Sequence, residues 1–371
     1  MKKKVKILIV FGTRPEVIKV APVIRIMQQS ENVELYLCNT GQHKEMILPL
    51  FDLFKFLPDF TLNTMVAGQG LTSLTTRLIT SLDEIIRSLN PEWVLAQGDT
   101  ATVMCASLAA YYNQVKFGHI EAGLRTNDKY QPFPEEINRR IAGVIADLHF
   151  APTNVAVENL LVENINPKTI ILTGNTIVDA INLIIPDEKK ILNLFSEIPF
   201  EKRIILVTAH RRENIGEPFN NICRALKELA ISHDDIHVVF PVHYNPNFRN
   251  ISYQYLGNEK NISLLEPMDY EALSYFMSKA YLVLTDSGGI QEEGASYNKP
   301  ILVLRNTTER PEGIEAGISK LIGTSKRKII DEVSLLLNDR DVYLSMTGHK
   351  NPYGDGKASE RILNTILKYD N

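Results

Sequence analysis

Four side chains with acid–base chemistry stand where apolar runs end or a helical pattern begins. Asp99 follows the run in "EWVLAQGDT", Glu121 follows the run in "VKFGHIEAG", and Glu135 opens the helical pattern in "PEEINRR". His210 follows the run in "RIILVTAH". Clustered carboxylates raise one another's pKa and imidazole titrates near neutral pH, so the set suits proton transfer. Each residue alone has a plainer interpretation, with Asp99 as a helix cap, Glu135 as a helix-start charge and His210 as structural.

The stretch "TDSGGIQEEG" (285–294) combines features that suit an anion with a feature that repels one. Ser287, Gly288 and Gly289 precede a helical pattern, where backbone N–H groups bind phosphate. Glu293 follows about one helical turn later and carries a negative charge. A ligand that needs amide donors for one group and a carboxylate acceptor for another would satisfy both.

Basic residues stand near two further turns. Arg14 and Lys19 flank the helix start in "FGTRPEVIK", and Arg310 lies in the loop "TTERPEG". Arg310 suits phosphate binding. For Arg14 and Lys19, this stretch alone supports a phosphate site and ordinary solvated charges at a helix start equally well. The sequence has no GxGxxG or Walker loop, no HExxH zinc pattern and no GxSxG nucleophile elbow. Metal and covalent-serine mechanisms are therefore weakly supported.

The rhythm of the chain predicts the scaffold that positions these residues. Apolar runs rich in Val and Ile fall at 5–13, 33–41, 92–99, 115–123, 148–153 and 169–175, and again at 203–210, 236–243, 262–267, 281–289, 300–306 and 320–324. Unbroken apolar strands between helices are typical of parallel sheets covered on both faces. Six units in each half predict an α/β fold of two Rossmann-like doubly wound domains, with a boundary near Gly174. We expect the ligand in the cleft between the domains, outside the carboxyl ends of the strands.

Composition narrows the classes of partner. The 371-residue chain has 40 Lys and Arg against 44 Asp and Glu, a balance that argues against nucleic acid or an anionic membrane. Cys38, Cys105 and Cys223 are far apart and form no metal pattern, so we expect buried free thiols in a reducing compartment. No stretch approaches the ~20 apolar residues of a membrane helix. The lysines before the first strand lack a signal-peptide cleavage site, and we expect a cytoplasmic protein.

Collinear motifs carry a resemblance to a known family. They are "FGTRPEVIK", "GQHKEM", "QGDT", "GHIEAGLRT", "PEEINR", "TGNTIVDA", "TAHRRENIGEP", "TDSGGIQEE", "RNTTERPEG" and "NPYGDGKASERI". Together they span residues 11 to 362 and resemble the non-hydrolysing UDP-N-acetylglucosamine 2-epimerase family. The resemblance implies two Rossmann-like domains of the glycosyltransferase-B type, 1–174 and 175–356, with a C-terminal helix in 357–371 that returns to the first domain.

The resemblance also implies roles for individual residues. Those implied in catalysis are Asp99, Glu121, Glu135 and His210. Those implied in substrate binding are Arg14, Lys19, Asp99, Glu121, His210, Met268, Leu273, Ser287, Gly288, Gly289, Glu293 and Arg310. The basic residues and the Ser-Gly-Gly backbone would face the diphosphate, Glu293 the ribose hydroxyls, and the segment from Met268 to Leu273 the uracil. Some members carry Gln and Phe at these last two positions, a difference that matters little where backbone atoms make the contacts.

The implied reaction inverts the sugar carbon that bears the N-acetyl group and gives UDP-N-acetylmannosamine. UDP is eliminated to leave a glycal and is then added back with a proton on the other face of C2. This needs a base, support for the departing diphosphate and a closed site without water. Which of Asp99, Glu121 and Glu135 is the base stays open. The resemblance implies no metal and no nicotinamide, a homodimer, and supply of cell-surface polysaccharide synthesis.

Many bacterial members are activated by a second substrate molecule. Gln42, Arg211 and His243 match positions linked to that allosteric site, whereas Glu45 and Gly68 depart from it. For His243 alone, a structural role after its strand is the simpler interpretation.

Three other functions stay open. An epimerase of the same mechanism could act on a modified sugar such as a diacetamido uronate, although "SGGIQEE" favours the N-acetylglucosamine branch. A glycosyltransferase of the same fold would need an acceptor site. A non-catalytic nucleotide-sugar sensor would bind the ligand without exchange at C2. The segment "TAHRREN" favours the non-hydrolysing branch, which retains UDP.

Overall fold

The chain forms two compact units in a computed structural model that describes residues 4–43, 45–66 and 68–369. The first unit runs to Leu183 and takes in the chain again from Tyr353, and the second comprises Ile184–Pro352. Lys2 and Lys3 of the N-terminal lysine run lie outside the described residues.

Each unit is built on one fully parallel sheet. The strands of the first are β1 Val5–Phe11, β2 Val33–Asn39, β3 Phe60–Thr61, β4 Trp93–Gln97, β5 Lys116–Ile120, β6 Leu148–Ala151 and β7 Ile170–Leu172, in the spatial order β3-β2-β1-β4-β5-β6-β7. Those of the second are β8 Arg203–Thr208, β9 Ile236–Pro241, β10 Ile262–Leu265, β11 Ala280–Thr285, β12 Ile301–Val303 and β13 Ser319–Leu321, in the order β10-β9-β8-β11-β12-β13.

Helices connect the strands. In the first unit they are α1 Arg14–Gln28, α2 Leu48–Phe54, α3 Leu71–Leu89, α4 Ala101–Tyr112, α5 Glu135–Ile145, α6 Asn154–Val162 and α7 Thr176–Leu183, with α16 Ala358–Tyr369 from the end of the chain. In the second they are α8 Glu188–Leu194, α9 Glu217–Ser232, α10 Pro246–Leu256, α11 Tyr270–Lys279, α12 Gly288–Ser296, α13 Pro311–Glu315, α14 Lys326–Asn338 and α15 Arg340–Ser345. Short 3-10 turns cover Pro167–Thr169 and Arg212–Asn214.

The predicted α/β fold of two Rossmann-like units is confirmed. Six strands were expected in each half, and for the first sheet that number is wrong because β3 makes seven. Strand β3 pairs through two residues at the sheet edge, and so short a strand leaves no apolar run in the sequence. The first unit also extends past the predicted boundary at Gly174 to Leu183, since α7 packs with α1 and α16.

Each sheet has one topological switch point, the place where a ligand site is expected in a parallel sheet. Strand β1 lies between β2 and β4, and β8 lies between β9 and β11. The connections that leave β1 and β4, and those that leave β8 and β11, therefore run in opposite directions from neighbouring strands and open a crevice. The proposed catalytic and diphosphate-binding residues follow these four strands, together with β5 and β12.

The last helix is fixed to the first unit by specific contacts. The Asp179 carboxylate accepts hydrogen bonds from the backbone N–H of Ala358 (3.2 Å) and of Ser359 (2.8 Å) at the start of α16. Near its other end, the Tyr369 ring packs edge-on against Trp93 at 5.1 Å.

Two further expectations concern the cysteines and membrane-spanning helices. Cys38, Cys105 and Cys223 are confirmed as buried free thiols, and burial raises the pKa of each to about 12. Within the described ranges, none of the helices combines the length and the apolar character that crossing a membrane requires.

Candidate active site

The turn after β1 is organised by a buried carboxylate. Glu16, in the first turn of α1, accepts hydrogen bonds from the backbone N–H groups of Gly12 (2.7 Å) and Thr13 (2.8 Å). Its other oxygen accepts a hydrogen bond from the Thr100 hydroxyl, which belongs to the turn after β4. Burial raises the pKa of Glu16 to about 7 against the opposing effect of these donors. One carboxyl group thus joins the two turns at the switch point of the first sheet.

Lys19 and Glu121 form a buried ion pair. The Lys19 ammonium group donates to both Glu121 oxygens, at 2.8 and 2.7 Å, and Gln97 at the end of β4 donates to the same carboxylate. Glu121 adopts a φ of 65°, a left-handed conformation that costs a non-glycine residue about 1–3 kcal/mol unless its surroundings hold it. The predicted basic helix-start residue therefore contacts a predicted catalytic acid.

Asp99 is held from three sides. Its carboxylate pairs with the Arg139 guanidinium at 2.5 Å, and its backbone carbonyl accepts a hydrogen bond from the Asn138 side chain at 3.0 Å. The preceding carbonyl, of Gly98, lies 2.7 Å from the Nε2 atom of the buried His119. Burial lowers the pKa of His119 to about 3, so the ring is neutral and donates this hydrogen bond. Helix α4 is capped by Thr100 and not by Asp99, so the interpretation of Asp99 as a helix cap is wrong and its side chain is left for another role.

Glu135 begins α5, the helix that also supplies Arg139 and Asn138. Burial, and the negative charge of Asp99, raise the pKa of Glu135 above its ordinary value. The charge of Asp99 therefore acts on Glu135, which keeps its proton to a higher pH than an ordinary glutamate does. Asp99 and Glu135 are thus linked through their charges and through Arg139, whereas Glu121 has its own partners in Lys19 and Gln97.

Arg14 and Gln42 lie at the same end of the first sheet. The backbone N–H of Arg14 donates to the His43 ring at 3.3 Å, and Gln42 accepts a hydrogen bond of 3.0 Å from the Thr102 hydroxyl in the first turn of α4. Burial, with the charge of Arg14, lowers the pKa of His43. The other two predicted allosteric residues, Arg211 and His243, belong to the second unit.

In the second unit, Asp286 gathers the turn that carries His210. Its carboxylate is fully buried and accepts hydrogen bonds from the backbone N–H groups of His210 (2.9 Å) and Arg211 (2.8 Å), and from the Asn214 side chain (2.9 Å). The His210 Nδ1 atom lies 3.9 Å from the same carboxylate, and its ring stacks on that of His243 at 5.5 Å. Asp286 therefore fixes the backbone from which the predicted catalytic histidine projects.

The start of α12 is flanked by two guanidinium groups. A β-carbon on Gly288 would lie 3.8 Å from the Arg310 guanidinium carbon and 3.9 Å from a guanidinium nitrogen of Arg211. Arg310 is anchored by an ion pair of 2.5 Å between its Nε atom and the buried Glu292. The first backbone N–H groups of a helix have no acceptor within that helix, so they point outward for an anion. Ser287, whose N–H donates to the Thr285 hydroxyl at 3.0 Å, sets this start.

A network of opposite charges supports one of these arginines. Arg211 pairs with Glu309 at 3.8 Å, and Glu309 pairs with the buried Arg305 at 2.8 Å. Burial would raise the pKa of Glu309, but the hydrogen bond and charge of Arg305, with the charge of Arg211, lower it to about 2. Glu309 is therefore ionised at neutral pH and holds Arg211 by charge.

The remaining predicted binding residues frame the anion site. A β-carbon on Gly289 would lie 3.7 Å from a carboxylate oxygen of Glu293, so this acid turns back towards the helix start. Met268 is buried, and Leu273 packs against the same apolar cluster of the second unit. The side chains of Met268 and Leu273 face the core. Contacts of the 268–273 segment with a ligand would therefore be made by its backbone.

Sequence reasoning missed residues that act through others. Glu16, His119, Arg139, Asp286 and Glu292 each hold a predicted site residue or its loop. All five stand inside the quoted motifs, Glu16 in "FGTRPEVIK", His119 in "GHIEAGLRT", Arg139 in "PEEINR", and Asp286 and Glu292 in "TDSGGIQEE", which was a usable signal. The partners of His119 and Arg139 lie on other elements, and this the sequence does not show.

The pKa of Glu16 leads to a prediction about stability and pH. Its folded-state pKa of about 7 lies above the ordinary 4.5, so its contribution to stability is complete below pH 4.5 and is lost as the pH rises through 7. Glu16→Gln removes this titration. Relative to the wild type, its free energy of unfolding should rise by roughly 3 kcal/mol across that range. Urea unfolding at a series of pH values measures this difference, and parallel curves would contradict the prediction. Glu360→Gln, at an exposed glutamate in the first turn of α16, is the matched control.

Comparisons with known proteins bear on this geometry. A family model described as UDP-N-acetylglucosamine 2-epimerase matches residues 25–367. The UDP-N-acetylglucosamine 2-epimerase of Escherichia coli K12 is 46% identical over 97% of this chain and 98% of its own length. That of Bacillus subtilis is 46% identical over 98% of this chain and 96% of its own length.

A solved structure agrees in fold as well as in sequence. The UDP-GlcNAc 2-epimerase of Neisseria meningitidis, in a crystal structure with UDP-GlcNAc bound, has a TM-score of 0.92 and 44% identity, over 98% of this chain and all (100%) of that one. These relatives cover nearly the entire chain, and the family model covers every motif of the resemblance except "FGTRPEVIK" at 11–19. The chain belongs to the UDP-N-acetylglucosamine 2-epimerase family.

Proposed function

We propose that this chain interconverts UDP-N-acetylglucosamine and UDP-N-acetylmannosamine by eliminating UDP and adding it back. One observation carries the proposal: Asp99 and Glu121 follow neighbouring strands of the first sheet and are held by Arg139 and Lys19, and Glu135 begins the helix that supplies Arg139. Such a set can remove and return a proton at a carbon atom. The Neisseria meningitidis relative, whose structure contains UDP-GlcNAc, supports the choice of substrate.

The second unit supplies the groups that a nucleoside diphosphate requires. The N–H groups at the start of α12, Arg310 and Arg211 would bind the diphosphate and stabilise the charge that develops on it as it leaves. His210, fixed by Asp286, would assist the departing phosphate. Glu293 would accept hydrogen bonds from the ribose hydroxyls, and the backbone of 268–273 would meet the uracil. The anion-binding and acidic features of one short stretch then serve different parts of one ligand.

The first unit would carry the proton chemistry at C2. Glu135 has a pKa raised by burial and by Asp99, which favours it as one of the groups that exchange a proton with C2. Glu121 is oriented by hydrogen bonds that Lys19 donates to both of its oxygens and by a hydrogen bond from the Gln97 side chain. Separate acids on different elements would allow proton removal from one face of C2 and delivery to the other.

The wider setting is part of the same proposal. Free buried thiols fit a reducing cytoplasm, where we place the reaction. A homodimer, supply of cell-surface polysaccharide synthesis, and activation through Gln42, Arg211 and His243 are proposed from the family resemblance. Sedimentation equilibrium tests the dimer, and a sigmoidal dependence of rate on substrate tests the activation.

Direct conversion tests the proposed function. Purified protein is mixed with UDP-GlcNAc alone, without added metal or cofactor, and the anomeric proton signals are followed by NMR. We expect UDP-N-acetylmannosamine to appear and both UDP-sugars to persist at equilibrium. An unchanged substrate would leave a sensor or a transferase that lacks its acceptor, and free N-acetylmannosamine with UDP would indicate a hydrolysing enzyme.

The diphosphate site leads to a prediction about affinity. Arg310→Gln removes the positive charge and the guanidinium donors, so the dissociation constant for UDP should rise by about 10- to 100-fold. The affinity should also become less dependent on salt. Isothermal titration calorimetry measures both effects. Arg224→Gln, which breaks the exposed ion pair of 2.6 Å with Glu217 in the same unit, is the control and should leave UDP binding unchanged. Equal affinity in the two variants would contradict this assignment.

A further inference from the structure

Glu16 joins two chain segments that carry different parts of the proposed chemistry. It lies one helical turn before Lys19 on α1, so its helix presents the cation that pairs with Glu121. Its hydrogen bond from Thr100 reaches the residue directly after Asp99. The link therefore runs from the Lys19–Glu121 pair to the Asp99 turn through two buried or half-buried side chains.

Thr100 has two contacts that belong to different tasks. Its hydroxyl oxygen accepts a hydrogen bond from the backbone N–H of Thr102 at 3.1 Å, which caps α4. The same hydroxyl donates to Glu16, whose carboxylate also completes the capping box of α1 by accepting from the backbone N–H of Thr13. Glu16 in turn binds the N–H groups of Gly12 and Thr13. Capping accounts for the bond from Thr13 to Glu16 and for the bond from Thr102 to Thr100, but neither cap requires the bond between Thr100 and Glu16.

The turn between Gln97 and Thr100 needs such a support. Gly98 adopts a φ of 88°, and its carbonyl is held by His119, so the chain bends sharply just before Asp99. His119 holds the Gly98 carbonyl to β5 and Arg139 holds the Asp99 carboxylate to α5, on one side of the bend. Glu16 fixes the following residue to α1, on the other.

We propose that Glu16 and Thr100 form a buried link that sets Asp99 in register with the Lys19–Glu121 pair, so that both act as positioning residues for proton transfer at C2. The inference rests on the proposed function and deepens it. A small displacement of a catalytic group can cost up to about 100-fold in rate even when binding is intact. Loss of the link should therefore appear in kcat, while KM and UDP affinity stay unchanged, because the start of α12, Arg310 and Arg211 belong to the second unit.

Threonine variants provide a matched test. Thr100→Val removes the hydroxyl at nearly constant volume and so loses both the α4 cap and the link to Glu16. Thr153→Val loses the corresponding cap of α6, where the hydroxyl accepts from the N–H of Ala156 at 3.2 Å. Both variants should lower the melting temperature, and Thr100→Val by more, since it loses the bond to Glu16 in addition to one cap. Thr100→Ser restores the hydroxyl and should recover activity.

The measured quantities are kcat and KM for epimerisation, UDP affinity, and C2 deuterium exchange in D2O. We expect Thr100→Val to lose about 10- to 100-fold in kcat and in exchange, with Thr153→Val and Thr100→Ser near the wild type. Equal kcat in Thr100→Val and Thr153→Val would overturn the inference and leave the proposed function intact. A wild-type protein that neither epimerises nor exchanges would instead overturn the proposed function.

Discussion

Replacing Glu121 by glutamine is expected to lower kcat for epimerisation by about 10²- to 10⁴-fold, the range for loss of a general acid or base. Glutamine keeps the shape of the side chain and an oxygen that can accept from Lys19, but it can neither take up nor release a proton. The φ of 65° at this position shows that the protein holds the carboxylate against a local conformational cost.

Steady-state kinetics and C2 exchange, with UDP binding as a check on folding, measure the effect. Glu163→Gln is the matched control, because Glu163 also forms a two-oxygen ion pair, with Arg125 at 2.8 and 2.7 Å, in the same unit. It should retain activity. A Glu121→Gln variant as active as this control would remove Glu121 from the proton chemistry.

Asp286→Ala is expected to weaken both the fold and UDP binding. The carboxylate is fully buried, and its loss leaves the donors of His210, Arg211 and Asn214 without their acceptor. Unpaired buried donors and a broken charged contact cost about 2–5 kcal/mol in free energy of unfolding. The turn that aims His210 and Arg211 would also loosen, so the dissociation constant for UDP should rise by about 10-fold or more.

Thermal unfolding and calorimetry with UDP test the two effects separately. Asp339→Ala is the control, because this exposed aspartate also accepts from two backbone N–H groups, at 3.0 and 3.1 Å, at the start of α15. Its removal should cost about 1 kcal/mol and leave UDP binding unchanged. If Asp286→Ala matched the control in both measurements, Asp286 would not organise the site.

The fold was largely predictable because its strands are buried on both faces. Val- and Ile-rich runs such as those of β1 and β8 can hardly be anything but central parallel strands. Strand β3 was not predicted, because two residues are too few to form a recognisable apolar run. The end of the first unit was not predicted, because α7 belongs to that unit through its packing against α1 and α16, which are distant in sequence.

The site was predictable where a residue follows a strand, and not where it acts through another residue. Asp99 and His210 are found from their positions after strands, whereas Arg139, 40 positions from Asp99, is brought to it by folding. The Glu16–Thr100 contact spans 84 positions and depends on β1 and β4 being neighbours. Long-range contacts of this kind decide how the site is held, and no local pattern encodes them.

Isotope exchange at C2 tests the central claim most directly, which is that this chain moves the proton on the carbon bearing the N-acetyl group. Wild-type protein is incubated with UDP-GlcNAc in D2O, and the UDP-sugars are recovered at equilibrium. We predict deuterium at C2 of both epimers, with no loss of UDP-sugar. Recovery of both epimers without deuterium, or of unlabelled substrate alone, would contradict the account.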